Sequence, residues 1–199
     1  MSLTPENRHY LITYEVLNTL THGVGVLAAV VGATLLLFKG WQHHFDFLTM
    51  TALTIYSLSI IAFLLASTLF HALVFTKFAK IFQILDHSGI YLVILGSYTP
   101  YTWLFLANKT GWLIWGTILI LSVAGIIYDL YCVGRWPWVS VLIYLIMGWL
   151  IIIAFPALHL VLTPFAFYLL LAGGITYSLG AIIYLFPKIP MGHVYWHIF

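Results

Sequence analysis

The chain has 199 residues, of which 63% are hydrophobic and only 6% charged, with a net charge of +2. Soluble domains carry roughly 25% charged residues, so this composition excludes a water-soluble globule and identifies an integral membrane protein. So small a charge, with no Lys/Arg cluster, excludes a nucleic-acid-binding module, and the single cysteine, Cys132, excludes an intrachain disulfide.

The opening stretch, MSLTPENRHY, is polar, and the apolar run after it is too long for the core of a signal peptide, so none is expected. Thr4-Pro5-Glu6 reads as a helix N-cap followed by proline at the first helical position. A short interfacial helix leading into the first span is expected there.

A spanning helix needs about 20 apolar residues to cross a hydrocarbon core of about 30 Å. Breaks at 39–46, 76–80, 107–111, 132–138, 159–164 and 187–190 leave apolar stretches near 15–38, 47–75, 81–106, 112–131, 139–158 and 165–186. A seventh stretch begins at Met191 and ends at Phe199. Nine residues rise only about 13 Å, so this helix is expected to be incomplete in the sequence as it stands. The expected fold is therefore a single transmembrane domain, an all-α bundle of seven spans with a truncated seventh. There is no convincing internal repeat.

Basic residues set the expected orientation. Arg8, Lys77, Lys80, Arg135 and Lys188 fall on the N-terminal side of the membrane, against Lys39 and Lys109 on the other. The N-terminus is thus expected to be cytoplasmic, in a multi-pass protein of the cell membrane. Trp41, Trp103 and Trp112 near one interface, and Trp136 and Trp138 near the other, suit aromatic belts.

Ionisable groups inside spans are costly and mark functional sites by default. Glu15, Asn18 and His22 share one stripe at the start of span one. Ser67 and His71, four apart, close span two; Asp86, His87 and Ser88 open span three; His193 and His197, again four apart, open span seven. All fall at one depth, roughly 8–20 Å from the nearest loop charge at helical rise. Singly, each has an ordinary reading: histidines and Asn18 as interhelical hydrogen bonders, Ser67 bonding to its own backbone, Glu15 in interfacial water. Asp129 is expected to anchor the following loop beside Arg135, and His43, His44 and His159 fall outside the cluster.

Jointly they indicate more. Two imidazoles from one helix and a third from another provide three neutral nitrogen ligands, the protein share of an open, catalytic zinc site. A dication in low dielectric needs negative charge nearby, and Asp86 and Glu15 are the intramembrane carboxylates at that depth. Asn18 and Ser67 are available to orient the rings.

The motifs EVLNTLTHGVG (15–25), STLFH (67–71), DHSGIY (86–91), GSYTP (96–100) and GHVYWHIF (192–199) resemble the hemolysin III family. That family belongs with the progestin and adiponectin receptor-like (PAQR) membrane proteins and is related to alkaline ceramidases. The resemblance covers the whole chain. It implies that His71, His193 and His197 are ligands to Zn2+, that Asp86 contacts the metal-bound water, and that Ser67 neighbours it. Glu15, Asn18 and His22 would form a supporting polar set.

The function expected on this footing is zinc-dependent hydrolysis of a lipid amide or ester, a membrane lipid entering sideways as substrate. Asp86 would act as general base and then return the proton to the leaving amine, with Ser67 donating to the oxyanion. The alternatives are a receptor or membrane-homeostasis sensor with structural zinc, or a pore-forming hemolysin. Against the pore, the outer halves of the spans lack a polar stripe. A reporter fused ahead of Met1 tests the orientation: it should be active in the cytoplasm, and activity confined to the outer side would reverse the topology.

Overall fold

The computed structural model describes residues 5–186 and 188–199, with side chains from Asn7 onward. Thr4, the expected N-cap, and Pro187 lie outside the described residues. All the regular structure described is helical: α1 (Pro5–Gln42), α2 (Phe47–Leu73), α3 (Ala79–Pro100), α4 (Lys109–Cys132), α5 (Pro137–Trp149), α6 (Phe155–Val161), α7 (Pro164–Leu185) and α8 (Gly192–Ile198). It is a helical membrane bundle, in which five stretches are long and apolar enough to cross a bilayer.

No proline or glycine interrupts residues 6–22, and α1 runs as one 38-residue helix. The interfacial segment and the first span are therefore continuous. At about 57 Å, the helix is longer than the hydrocarbon thickness and has polar turns at both ends, residues 7–9 at one and 39–42 at the other. At the opposite end Asp46 caps α2, its carboxylate accepting from the Thr49 N–H at 2.7 Å.

Helix α3 is not among the five apolar stretches, because Gln83, Asp86, His87 and Ser88 lower its hydropathy. It nevertheless has more buried positions than any other helix described, including Asp86, Ser88, Tyr91, Ile94 and Thr99. Polarity and centrality share a cause: a helix carrying ionisable groups avoids lipid by packing inside its neighbours. It lies against α2, α4 and α5, and α1 covers α2. Pro100 ends its regular ladder, and a π-helical turn follows over Tyr101–Phe105, the Leu106 N–H bonding to the Tyr101 carbonyl at 2.9 Å. The return into α4 is tight. Asn108 caps it by accepting from the N–H groups of Thr110 and Gly111, and a Cβ on Gly111 would collide with the Leu106 carbonyl.

The fifth span is broken rather than continuous. Pro156 lacks an N–H and its ring crowds the preceding turn, so a 3-10 segment, Leu150–Ala154, separates α5 from α6. The backbone groups freed there find a side-chain partner. The Tyr98 hydroxyl of α3 donates to the Met147 carbonyl at 2.7 Å and accepts from the Ile151 N–H at 2.8 Å. Around it pack Tyr91, Ile118, Met147 and Leu158, all fully buried. Helix α8 contacts both α1 and α7, and so joins the two ends of the chain.

Removing the Tyr98 hydroxyl strands a donor and an acceptor away from water, at a cost of about 1–3 kcal/mol. Tyr98→Phe should therefore lower stability to that extent in a denaturant titration of the detergent-solubilised protein. Tyr131→Phe, 83% exposed on α4, should leave it unchanged.

Candidate metal centre

Three rings from two distant parts of the chain meet at the amino-terminal end of the bundle. His71 closes α2, and His193 and His197 occupy successive turns of α8. Their centroids are 5.1 Å (His71–His193), 4.9 Å (His71–His197) and 4.6 Å (His193–His197) apart. One ring nitrogen of each lies within 4.8 Å of the others.

Helix α1 orients two of these rings. Glu15 Oε2 sits 2.7 Å from His71 Nδ1, both side chains largely buried. A carboxylate only accepts, so Nδ1 carries the proton and Nε2 presents its lone pair to the cluster. His197 Nδ1 lies 3.3 Å from the Asn18 carbonyl and 3.3 Å from Thr21 Oγ1. The carbonyl likewise assigns the proton to Nδ1 and leaves Nε2 free. Asn18 thus contributes through its backbone, while its buried amide makes no hydrogen bond.

The donor set fits a metal ion. His71 Nε2 and His193 Nε2 are buried without hydrogen-bond partners, and stranded acceptors in low dielectric are costly unless something binds them. Neutral imidazoles suit zinc and related divalent ions, and a carboxylate behind one ring is the usual supporting arrangement.

Beside the rings lies a cavity of about 30 Å³, lined by Asp86, His22, His193, His197 and Tyr184 among others. A buried water needs roughly 10–15 Å³, so one or two fit. Asp86 is 7% exposed, with Oδ2 3.5 Å from His87 Nδ1. Ser67, one turn before His71, is fully buried and faces Asp86 without closing a hydrogen bond. His22 stacks on His197. His71, His193 and His197 thus form the ring cluster, Glu15, Asn18 and His22 contact it, Asp86 lines its cavity, and Ser67 stands beside Asp86.

Thr21 was not anticipated, since a lone threonine in an apolar helix gives no signal until α8 is placed against it. Tyr184 and Trp196, which also line the cavity, read in sequence as ordinary apolar positions. Asp129 is fully buried, its Oδ1 accepting from Ser140 Oγ at 3.4 Å, while Arg135 stacks over Trp136 at 4.7 Å. The expected Asp129–Arg135 anchor gives way to these two contacts. His43 and His44 stay exposed in the α1–α2 turn, and His159 packs on Phe167 at 5.0 Å. A larger cavity of about 670 Å³, toward the other end, is lined by no histidine or carboxylate. The polar chemistry is confined to one end.

A family described as Haemolysin-III related matches residues 10–199, a span that includes every ring of the centre. The chain is 42% identical to Hemolysin-3 of Bacillus cereus over 185 residues, 93% of this chain and 84% of that protein. It is 36% identical to a Hemolysin-3 homolog of Bacillus subtilis (strain 168) over 190 residues, 96% of this chain and 89% of that one.

Replacing an orienting carboxylate behind a metal-binding histidine typically costs 10–100-fold in affinity. Glu15→Gln should weaken zinc binding by about that factor in a chelator competition, and His71→Ala should abolish it. His43→Ala and His159→Ala should bind as the unaltered protein does. Full metal content in the His71→Ala protein would remove His71 from the site.

Proposed function

The chain belongs to the haemolysin-III related family, and we propose that within it this protein is a zinc-dependent hydrolase of a lipid amide or ester, embedded in the cell membrane with its N-terminus and its centre toward the cytoplasm. The observation that carries this reading is the juxtaposition of three imidazoles with converging nitrogens, a buried carboxylate and a cavity of water size. Zinc held by His71, His193 and His197 would act as a Lewis acid and lower the pKa of water toward about 7.

The rest of the chemistry falls to side chains. Asp86, on the cavity wall, accepts a proton from the attacking water and delivers it to the leaving nitrogen or oxygen. Ser67, whose buried hydroxyl stands beside Asp86, donates to the developing oxyanion. His71 is held by Glu15 at 2.7 Å, so its ring need not reorganise during the reaction. A lipid is the substrate class suited to this depth, because Leu17, Leu20 and Val24 of the same helix present apolar surface outward.

The small volume beside the rings also favours a second reading. About 30 Å³ accommodates water but not a lipid head group, as expected of a receptor or membrane-homeostasis sensor whose zinc is structural. Pore formation, which the relatives' name suggests, has less support: the larger cavity is almost wholly apolar and offers water few partners.

Asp86→Asn separates these readings. The amide keeps the shape but cannot take a proton, so hydrolysis across a panel of N-acyl lipids should fall by about 10²–10⁴-fold with zinc retained. Loss of zinc from this variant would make Asp86 a ligand. Retained zinc, with no turnover by the unaltered protein on any lipid of the panel, would replace the enzyme with the sensor.

A further inference from the structure

We propose that His22 is a positioning residue of the metal centre, acting through the face of its ring to hold the plane of His197; the proposal rests on the His71–His193–His197 centre. The two imidazoles stack with centroids 3.7 Å apart and planes inclined by 13°. On its other flank His22 meets Phe63 of α2, with centroids 5.5 Å apart at 67°. The ring is wedged between two helices and is 6% exposed.

His197 needs such a support. Its Nδ1 contacts, to the Asn18 carbonyl and Thr21 Oγ1, are both 3.3 Å, beyond the usual 2.7–3.2 Å of a firm N–H···O bond. At that length they restrain the two side-chain torsions of His197 only loosely. A face-to-face neighbour supplies the missing restraint. His22 stands outside the three-ring set whose nitrogens converge, so it supports a ligand without being one.

The stack also has an electronic consequence. A ring that donates its lone pair to a dication becomes electron-poor, and an aromatic face against it is attractive in the manner of a cation–π contact. Any planar aromatic ring can provide this, whereas an aliphatic side chain cannot. The nitrogen atoms of His22 are not required for it.

The test compares His22→Leu with His22→Phe in the purified full-length chain, stripped of metal and reloaded. Zinc affinity is read by chelator competition and coordination geometry from the visible spectrum of the Co2+ form. His22→Leu should bind zinc about 10–100-fold more weakly, the usual scale for a supporting residue, and should show an altered Co2+ spectrum. His22→Phe should restore both. If the leucine protein fails to fold, His22→Met takes its place as the non-planar replacement. Wild-type affinity and spectrum in the non-planar variant would overturn the proposal. So would a phenylalanine variant as weak as the leucine one, because the imidazole nitrogen would then be the active part. An unaltered protein that binds neither ion would instead sink the three-histidine centre, and this support with it.

Discussion

A carboxylate placed among hydrocarbon chains must find a partner or forgo its charge, and Glu15 finds His71 at 2.7 Å. Much of the surrounding arrangement follows from that contact. It fixes the register of α1 against α2 near their shared end, and it directs the far nitrogen of His71 toward the α8 rings. With α1 set in this way, the next turns of the same helix bring the Asn18 carbonyl, Thr21 and His22 against His197. One helix thus supplies almost all the orienting contacts, while the nitrogens that converge belong to its neighbours. The division is economical in a membrane. Glu15, Thr21 and His22 on α1 each face a histidine of another helix, and much of the remaining surface of α1 is apolar.

The same rule explains the interior of the bundle. Helix α3, less apolar than its neighbours, sits among them, and side chains of other helices answer some of its backbone carbonyls. The Tyr144 hydroxyl donates to the His87 carbonyl at 3.1 Å, Ser122 Oγ donates to the Tyr91 carbonyl at 3.2 Å, and Tyr98 bridges the broken backbone of the fifth span. Asp129 and Ser140 continue this lattice between α4 and α5. Irregular backbone at membrane depth survives only where protein supplies its hydrogen bonds, and here a single tyrosine does so.

How much of this was visible in the residues depends on whether the signal was local. The helical bundle is written in composition and in the spacing of apolar runs. His193 and His197 announce themselves at i and i+4, as do Ser67 and His71, because helical periodicity places such pairs on one face whatever the rest of the fold does. Other features needed three dimensions. The interruption between α5 and α6 has a cue in Pro156, but the Tyr98 hydroxyl that makes it tolerable lies more than fifty residues away in sequence. Asp129 and Arg135 look like partners by proximity along the chain, yet the helix turns the carboxylate inward toward Ser140 and leaves the guanidinium on Trp136. Thr21 gains meaning only from the docking of α8. For Tyr98 and Thr21 the missing information was an encounter between distant segments, and for Asp129 it was the direction in which the helix turns the side chain.

The centre is built from both ends of the chain: the contacts of His197 with Thr21 and Asn18 join residues 176 and 179 positions apart. That separation has a consequence for biogenesis. Glu15, His22 and His71 enter the bilayer early, while His193 and His197 emerge more than a hundred residues later. At ordinary translation rates the delay is on the order of 10 s. During that interval the early groups lack their α8 partners, and an ion that requires all three imidazoles has nowhere to bind. Once the last helix docks, such an ion favours the completed chain by mass action. The cluster would then act as a clasp that closes only after the helix carrying His193 and His197 has been inserted and docked.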